Sequence, residues 1–238
     1  MKKTIALSAM TAMALSGLAY SEIESEFTVS YNTDYIFRSA NLGDDLYTYG
    51  FDVAGSCDCG FDWSAGIWYA EIDGPPAGFA DEELDIYGEV SKDFGFGTIG
   101  LGFVRYIFPD DDNVDGADAD TTELYLSYGT SAYGLDLGAI AYLDVDAFAS
   151  NFYGELSAAY GYDFTENISG ELGVNVGFFD DGYAQTTVTL GLSIAVSEEI
   201  SVNPYIAYSD TGSDYDDFLG GIGSDCQLYG GVSVGFSF

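Results

Sequence analysis

The sequence has 238 residues and carries 40 Asp or Glu against only 5 Lys or Arg and no His, which gives a formal net charge of −35. This balance excludes a nucleic-acid binder that relies on a basic face, since phosphate contacts need Lys and Arg. The absence of His excludes Ser-His-Asp and Cys-His catalysis and histidine-metal sites. Hydrophobic residues make up 47% of the chain and aromatic residues 16%, so the charge does not indicate disorder. Many Gly, Tyr and Phe together with only 4 Pro favour an all-β protein.

The N-terminal segment has the three parts of a secretory signal peptide. Lys2 and Lys3 precede an apolar run, and small residues stand just before Glu22. The run of about 15 residues is shorter than the ~20 that cross a membrane as a helix. We therefore predict a signal peptide over residues 1–21 and an exported domain over residues 22–238. The basic residues of the mature chain would then be Arg38, Lys92 and Arg105.

The mature region alternates apolar and polar residues with a period of two, which is typical of β-strands with one apolar face. Between Thr187 and Val196, for example, every second residue is a large aliphatic one. Twelve such runs predict twelve strands, at about residues 27–38, 46–56, 61–70, 83–92, 96–108, 121–129, 133–143, 148–162, 167–179, 185–196, 200–208 and 227–238.

The connections between these runs alternate between short turns and others that are mostly longer. In an up-and-down sheet, short and long connections therefore lie at opposite ends, and an even number of strands leaves both termini at the short-turn end. This is the plan of outer-membrane barrels. The sequence thus predicts an all-β fold, an antiparallel up-and-down transmembrane β-barrel of about twelve strands. A secreted β-sandwich is the alternative.

The polar face of the predicted strands decides which side meets water. It carries many acids and one clear base, Arg38, and so many unpaired charges cannot fill a dry interior. We expect this face to line a wet interior and the apolar face to meet the lipid bilayer. The alternative is a plugged barrel, in which the acids only solvate the inside. Arg38 is expected to pair across a neighbouring strand with Asp52 or Asp85. The predicted pore-lining residues are Asp34, Arg38, Asp52, Asp85, Glu89, Glu123, Asp136, Glu155 and Glu171.

Aromatic residues of the apolar face fall near both strand ends, as the two aromatic belts of a membrane barrel do. The belt at the long-loop end is predicted to contain Tyr35, Phe37, Tyr47, Tyr49, Tyr69, Phe152 and Phe178. The belt at the short-turn end is predicted to contain Phe27, Phe61, Trp63, Tyr160, Tyr162, Phe236 and Phe238. The final residue, Phe238, follows alternating apolar residues and resembles the signal that bacterial outer-membrane barrels present to their assembly machinery, which we expect as a partner.

The segment Ser30-Tyr31-Asn32-Thr33-Asp34-Tyr35-Ile36-Phe37-Arg38 resembles the N-terminal signature of the TorF-type porins, a bacterial family that reads roughly S-x-D-Y-x-F-R-G. Similar segments follow at residues 83–88, 106–109 and 123–125, in the family's order. The likeness covers about the first half of the chain, and Ser39 stands where the family favours Gly. The resemblance implies a barrel in the outer membrane of a Gram-negative-type bacterium, and a pore.

More than half of the acidic residues fall in the predicted external loops. After Pro109, the residues Asp111, Asn113 and Asp115 precede a Gly and resemble the start of a calcium-binding loop. The twelfth position is Thr122 rather than Glu, so the bidentate ligand is missing. Asp111, Asn113 and Asp115 are the predicted Ca²⁺ ligands, against the alternative of a solvated anionic rim. No other cofactor is expected.

Three cysteines, Cys57, Cys59 and Cys226, are present. A pair two residues apart closes its ring only with strain, so the sequence leaves open whether Cys57 and Cys59 are joined. The odd number in an exported chain indicates one unpaired thiol.

We interpret the protein as a passive pore for ions or small solutes that prefers cations, because an acidic lining lowers the free energy of cations. The alternative is a non-conducting structural or adhesive barrel with acidic, calcium-binding external loops. An enzyme is not expected, since the acids are spread over many strands rather than focused in one site.

The signal-peptide prediction is tested by mass spectrometry of the protein in isolated membranes. The first residue of the mature chain should be Glu22, because the small residues before it fit signal peptidase. An intact Met1, or a product found only in the soluble periplasm, would contradict both the processing and the localisation.

Overall fold

The period-two pattern produces strands throughout the computed structural model, which describes residues 23–38, 40–109, 120–180, 182–211 and 226–238. No helix within these ranges is long and apolar enough to cross a membrane. The strands are β1 Glu24–Asn32, β2 Ile36–Phe37, β3 Ala40–Asn41, β4 Asp45–Ser56, β5 Asp62–Asp73, β6 Glu82–Asp93, β7 Thr98–Ile107, β8 Thr121–Ala132, β9 Leu135–Asp144, β10 Phe152–Asp163, β11 Ile168–Phe179, β12 Gly182–Ala195, β13 Ile200–Thr211 and β14 Cys226–Ser237.

Twelve of these strands form one closed antiparallel barrel, and β2 and β3 form a separate two-stranded sheet. The barrel closes because β1 pairs with both β4 and β14, so that Phe27 stands opposite Phe51 on one side and Phe236 on the other. Each of the other barrel strands pairs with its neighbours in the chain, and closure leaves no free edge. The predicted fold class and strand number are confirmed.

The two faces of the wall differ as the alternation requires. Large aliphatic side chains point outward, and Leu101, Leu126 and Leu190 are 65%, 56% and 56% exposed. The opposite face is polar, small or tyrosine-rich and points inward. At Gly66 a side chain is excluded by close approach, because a Cβ atom there would lie 2.6 Å from the Tyr87 ring inside the barrel.

The first predicted strand, 27–38, is wrong at its C-terminal end. Strand β1 ends at Asn32, and residues 33–38 and 40–44 fold back inside the barrel; we call them the inner hairpin. Its backbone is held by hydrogen bonds from Tyr35 N to Gly43 O (2.8 Å) and from Leu42 N to Tyr35 O (2.7 Å). The other strand boundaries lie within a few residues of their predicted positions.

The same segment corrects the predicted belt at the long-loop end. Tyr35 and Phe37 lie inside the barrel, where Tyr35 is 3% exposed and Phe37 packs against Tyr106. Their alternation continues that of β1, and an apolar side chain suits a buried interior as well as a lipid-facing surface. Other predicted belt residues do lie exposed on the outer face near the two ends: Tyr47, Tyr49, Phe152, Phe61, Tyr160, Tyr162 and Phe238.

Cys57 and Cys59 form a disulfide across the short turn between β4 and β5, with their Cα atoms 5.1 Å apart. The ring closes within one turn, far along the chain from Cys226. It answers the question that the sequence left open about this pair.

Candidate functional site

The interior of the barrel is divided into two halves, which we call the loop half, toward the longer connections, and the turn half, toward the short ones. Many inward residues of the loop half are buried; Leu46, Tyr106 and Ser209, for example, are 3%, 5% and 2% exposed. Inward residues of the turn half are mostly small or polar: Ser64, Ser157 and Ser193 are half-buried, and the buried ones include glycines such as Gly100 and Gly235. The loop half is therefore filled, and the inner hairpin is what fills much of it.

The inner hairpin packs into the loop half through Tyr35. The ring of Tyr35 lies 6.1 Å from that of Trp68 and belongs to a buried cluster with Leu46, Ala70 and Ile72 on β4 and β5. Its hydroxyl donates a 2.8 Å hydrogen bond to Glu83 on β6. This contact joins the hairpin to the barrel wall by both apolar burial and a charge-assisted hydrogen bond.

Arg38, at the tip of the inner hairpin, makes the second attachment. Its guanidinium donates two hydrogen bonds of 2.6 Å each to the two carboxylate oxygens of Glu123 on β8. Tyr106 donates a further 3.0 Å hydrogen bond to the same carboxylate. Side-chain exposure is only 14% for Arg38 and 8% for Glu123, so the pair is shielded from water. The expected partners Asp52 and Asp85 are wrong, because folding back carries Arg38 across the interior to β8.

Aromatic rings surround the same guanidinium. Its Cζ atom lies 4.8 Å from the ring centre of Phe37, 4.7 Å from that of Tyr142 and 4.4 Å from that of Tyr153. Cation–π contacts at these distances are stabilising, the more so when desolvated. We call the wall residues Tyr106, Glu123, Tyr142 and Tyr153 the arginine cage.

The ionisation of the two hairpin side chains fits these contacts. Burial lowers the pKa of Arg38, but the hydrogen bonds to Glu123 outweigh it and the pKa lies above its ordinary value. Burial raises the pKa of the Tyr35 hydroxyl well above its ordinary value, and the nearby charges of Glu83 and Asp85 raise it further. Arg38 is therefore a cation and Tyr35 a neutral donor throughout the physiological pH range.

Asp85 lies on the inner face of β6 and is completely buried. Neither of its carboxylate oxygens has a hydrogen-bond partner within the described ranges. It stands two residues from Glu83, on the same face, and opposite Tyr106 of β7. The part of the wall that faces the inner hairpin thus includes three buried carboxylates, those of Glu83, Asp85 and Glu123.

The other predicted lining residues are spread along the wall. Asp52 accepts a 2.6 Å hydrogen bond from Tyr87, Glu89 a 2.9 Å one from Ser127, and Glu155 a 3.1 Å one from Tyr153. Asp136 and Glu171 lie on inward positions of the turn half, near the short connections. Asp34 is not on a strand but follows β1, where it accepts a 2.5 Å hydrogen bond from Gln227. The structure thus brings Arg38 and Glu123 together, with Asp85 nearby and Glu155 bonded to the cage residue Tyr153, and leaves the rest apart.

Sequence reasoning missed Glu83 and the tyrosines of the cage. A signal was present, because Tyr106, Tyr125, Tyr142 and Tyr153 all stand in the polar register of β7 to β10, where a wet lining would favour small residues. The predicted calcium ligands Asp111, Asn113 and Asp115 lie outside the described residues. Within the described residues, no group of acidic or Cys side chains is arranged to hold a metal ion.

Trypsin provides a test of the attachment at Arg38, because the mature chain offers it only Arg38, Lys92 and Arg105. In Glu123→Gln the guanidinium loses its carboxylate, and breaking a buried ion pair costs about 3–5 kcal/mol. We expect the folded variant to be cut after Arg38 many times faster than the parent protein, as measured by the fragment that begins at Ser39. Glu171→Gln, in the turn half, is the matched control and should leave Arg38 protected. Equal cleavage of the parent and Glu123→Gln would contradict the attachment.

The barrel is similar to solved outer-membrane proteins. The COG4313 outer membrane channel from Pseudomonas putida F1 matches with a TM-score of 0.57 at 9% identity, over 97% of this chain and 100% of that chain. The NanC porin matches with a TM-score of 0.52 at 11% identity, over 89% and 98% of the two chains. The KdgM porin matches with a TM-score of 0.50 at 11% identity, over 90% and 99%. At such identities the likeness shows the fold alone.

No protein with a curated description matches the sequence. A family model described as "Bacterial protein of unknown function (Gcw_chp)" matches residues 19–230. That description does not use the TorF name, so the resemblance to TorF-type porins stays a prediction. Because the model spans most of the sequence, the chain belongs to the Gcw_chp family of bacterial proteins.

Proposed function

We propose that the protein is an outer-membrane pore that passes ions or small solutes, prefers cations and is narrowed in its loop half by the inner hairpin. The observation that carries this proposal is a closed twelve-stranded barrel with carboxylates on its inner face and exposed aliphatic side chains on its outer face. A closed barrel satisfies every strand edge, which is what a lipid environment requires. The similarity of the fold to outer-membrane channels and porins supports it.

The turn half would be the wide part of the passage. Twelve strands at the usual spacing and tilt give a backbone radius of about 12 Å. The inward residues here are small, and the carboxylates of Asp52, Glu89 and Glu171 are only partly buried. Carboxylates that face water concentrate cations and exclude anions. The proposed selectivity therefore arises in the turn half.

The loop half would be the narrow part. The inner hairpin and the inward tyrosines fill it, and the main attachments are Tyr35 to Glu83 and Arg38 to Glu123. A solute must pass beside the hairpin or displace it. This filling also favours a second candidate, a non-conducting barrel with a structural or adhesive role, whose acidic external loops would bind calcium through Asp111, Asn113 and Asp115.

The proposed selectivity is tested by reversal potentials across a salt gradient, with the refolded mature chain in planar bilayers. The double variant Glu89→Gln/Glu171→Gln should lower the preference for K⁺ over Cl⁻, because it removes two charges from the turn half. The preference should also fall as salt rises, since the screening length shortens to about 3 Å at 1 M. The double variant Glu198→Gln/Glu199→Gln, in the exposed turn between β12 and β13, is the control with the same change of charge. An anion-selective pore would contradict the electrostatic argument.

The role of the inner hairpin is tested by the single-channel conductance of Arg38→Ala. Losing the ion pair and the cation–π contacts should release the hairpin tip, so we expect a larger or more frequently open conductance than in the parent protein. Arg105→Ala, which removes an arginine bound to Asp120 and Asp146 at the outer rim, is the control. Absence of conductance in both the parent and Arg38→Ala would favour the non-conducting candidate.

A further inference from the structure

We propose that the arginine cage is a binding site for small solutes that carry a guanidinium group, and that Arg38 is the chain's own occupant of that site. A guanidinium solute would bind by displacing Arg38 and with it the tip of the inner hairpin. Binding at this site does not require that the barrel conduct.

The chemistry of the cage selects a guanidinium rather than any other cation. The two oxygens of Glu123 accept two parallel hydrogen bonds of 2.6 Å each, which matches the planar fork of a guanidinium. The rings of Tyr142 and Tyr153 lie 4.7 and 4.4 Å from its central carbon. An ammonium group presents a point charge without a fork or a plane, so it would lose the bidentate geometry and part of the ring contact.

The cage is built on the wall and does not need the hairpin for its shape. Tyr106, Glu123, Tyr142 and Tyr153 stand on four consecutive strands, β7 to β10, which are joined by continuous backbone pairing. Tyr106 donates a hydrogen bond to the Glu123 carboxylate, and Tyr142 and Tyr153 contact each other with ring centres 6.2 Å apart. Gln185 on β12 donates a 3.3 Å hydrogen bond to the Tyr153 hydroxyl. Side chains fixed in this way form a preorganised site, which lowers the cost of binding.

The occupant, by contrast, is held lightly by its own backbone. Among the described residues, the inner hairpin is short: it has two residue pairs, Ile36 with Asn41 and Phe37 with Ala40, and two further backbone hydrogen bonds that join Tyr35 to the opposite leg. Arg38 has a φ of 46°, in the left-handed region that residues other than Gly rarely adopt. Its position therefore depends on the side-chain contacts with the cage. A tethered group competes at an effective concentration of order millimolar or above, so a free cation should displace it only at comparable or higher concentrations.

The site lies where an external cation would arrive. The described residues at the outer rim of the barrel include the acids Asp44, Asp73, Asp81, Asp120 and Asp146. A rim of one charge sign raises the local concentration of oppositely charged solutes and speeds their entry. A displaced Arg38 would move toward the same acids, which offer its charge new partners.

Binding is tested first in a variant in which the cage is vacant. Arg38→Gly removes the side chain and suits the left-handed backbone at this position, so the turn is not strained by the change. In detergent solution, millimolar methylguanidinium chloride should raise the thermal unfolding midpoint of refolded Arg38→Gly in a saturable way. Methylammonium chloride and NaCl at equal ionic strength should act at least several-fold more weakly. The double variant Arg38→Gly/Glu123→Gln should show no saturable rise.

An equal response to methylammonium, or an unchanged response in the double variant, would overturn the proposed site. Because this measurement needs no bilayer, its failure is distinguishable from a failure of the pore proposal. A barrel that binds methylguanidinium but never conducts would contradict the proposed pore and support the proposed site. A barrel that conducts but does not bind methylguanidinium would contradict the site and support the pore.

Displacement is tested in the parent protein with trypsin. Methylguanidinium, at concentrations above those that saturate Arg38→Gly, should expose Arg38 and increase the fragment that begins at Ser39, whereas methylammonium should not. Any inhibition of trypsin by a guanidinium compound acts in the opposite direction and cannot mimic this result. Cleavage after Arg38 that stays constant relative to the cleavage of an unfolded substrate in the same solution would overturn the claim that the solute and Arg38 share one site.

Discussion

The arrangement of the barrel interior depends on one ion pair, between Arg38 and Glu123. A chain with 40 acidic residues and 5 basic ones places one of its few cations inside the barrel, 85 positions in sequence from its partner. The loop half of the wall carries carboxylates that have little access to water, and such groups are costly unless a counter-charge, a proton or a hydrogen bond compensates them. Arg38 compensates Glu123 directly, and this contact holds the inner hairpin in the interior, where it fills much of the loop half.

The wall itself does not rely on that pair. Every barrel strand is hydrogen-bonded on both sides, and among the described residues the backbone of the inner hairpin is joined to the wall at its two ends, by hydrogen bonds from Thr33 N to Gly230 O and from Asp44 N to Asp73 O. The energetic consequences of removing the hairpin therefore fall on the interior side chains, chiefly Tyr35, Trp68 and the cage, rather than on the barrel. This separation makes the hairpin an element that can differ in position while the wall keeps its shape, as ligand-binding segments on rigid scaffolds commonly do.

The sequence predicted the barrel well because strand periodicity records directly which face is apolar, and the twelve long strands were found at nearly the right bounds. It failed at residues 33–38 for a physical reason. Tyr35 and Phe37 continue the alternation of β1, and alternation shows that a side chain is buried from water without showing whether lipid or the barrel interior buries it. The partner of Arg38 could not be predicted either, since Glu123 comes near it only when the barrel closes and the hairpin folds back. The sequence pattern places the inward tyrosines on the polar face of their strands. Their contacts with Arg38 and Glu123 could not be predicted, because that requires knowing which strands are neighbours and where the hairpin folds.

Tyrosine suits this interior because it carries both an apolar ring and a polar tip. The hydroxyls of Tyr35 and Tyr106 donate to Glu83 and Glu123, while the rings of Tyr142 and Tyr153 face the guanidinium. Aliphatic side chains would fill the same space but leave the carboxylates without donors, and small polar ones would leave it hydrated. Arg38 is thus at once part of the bulk that fills the loop half and the counter-charge of Glu123. Its departure would widen the loop half and uncover the charge of Glu123 in a single step, so size and electrostatic preference at this level of the barrel change together rather than separately.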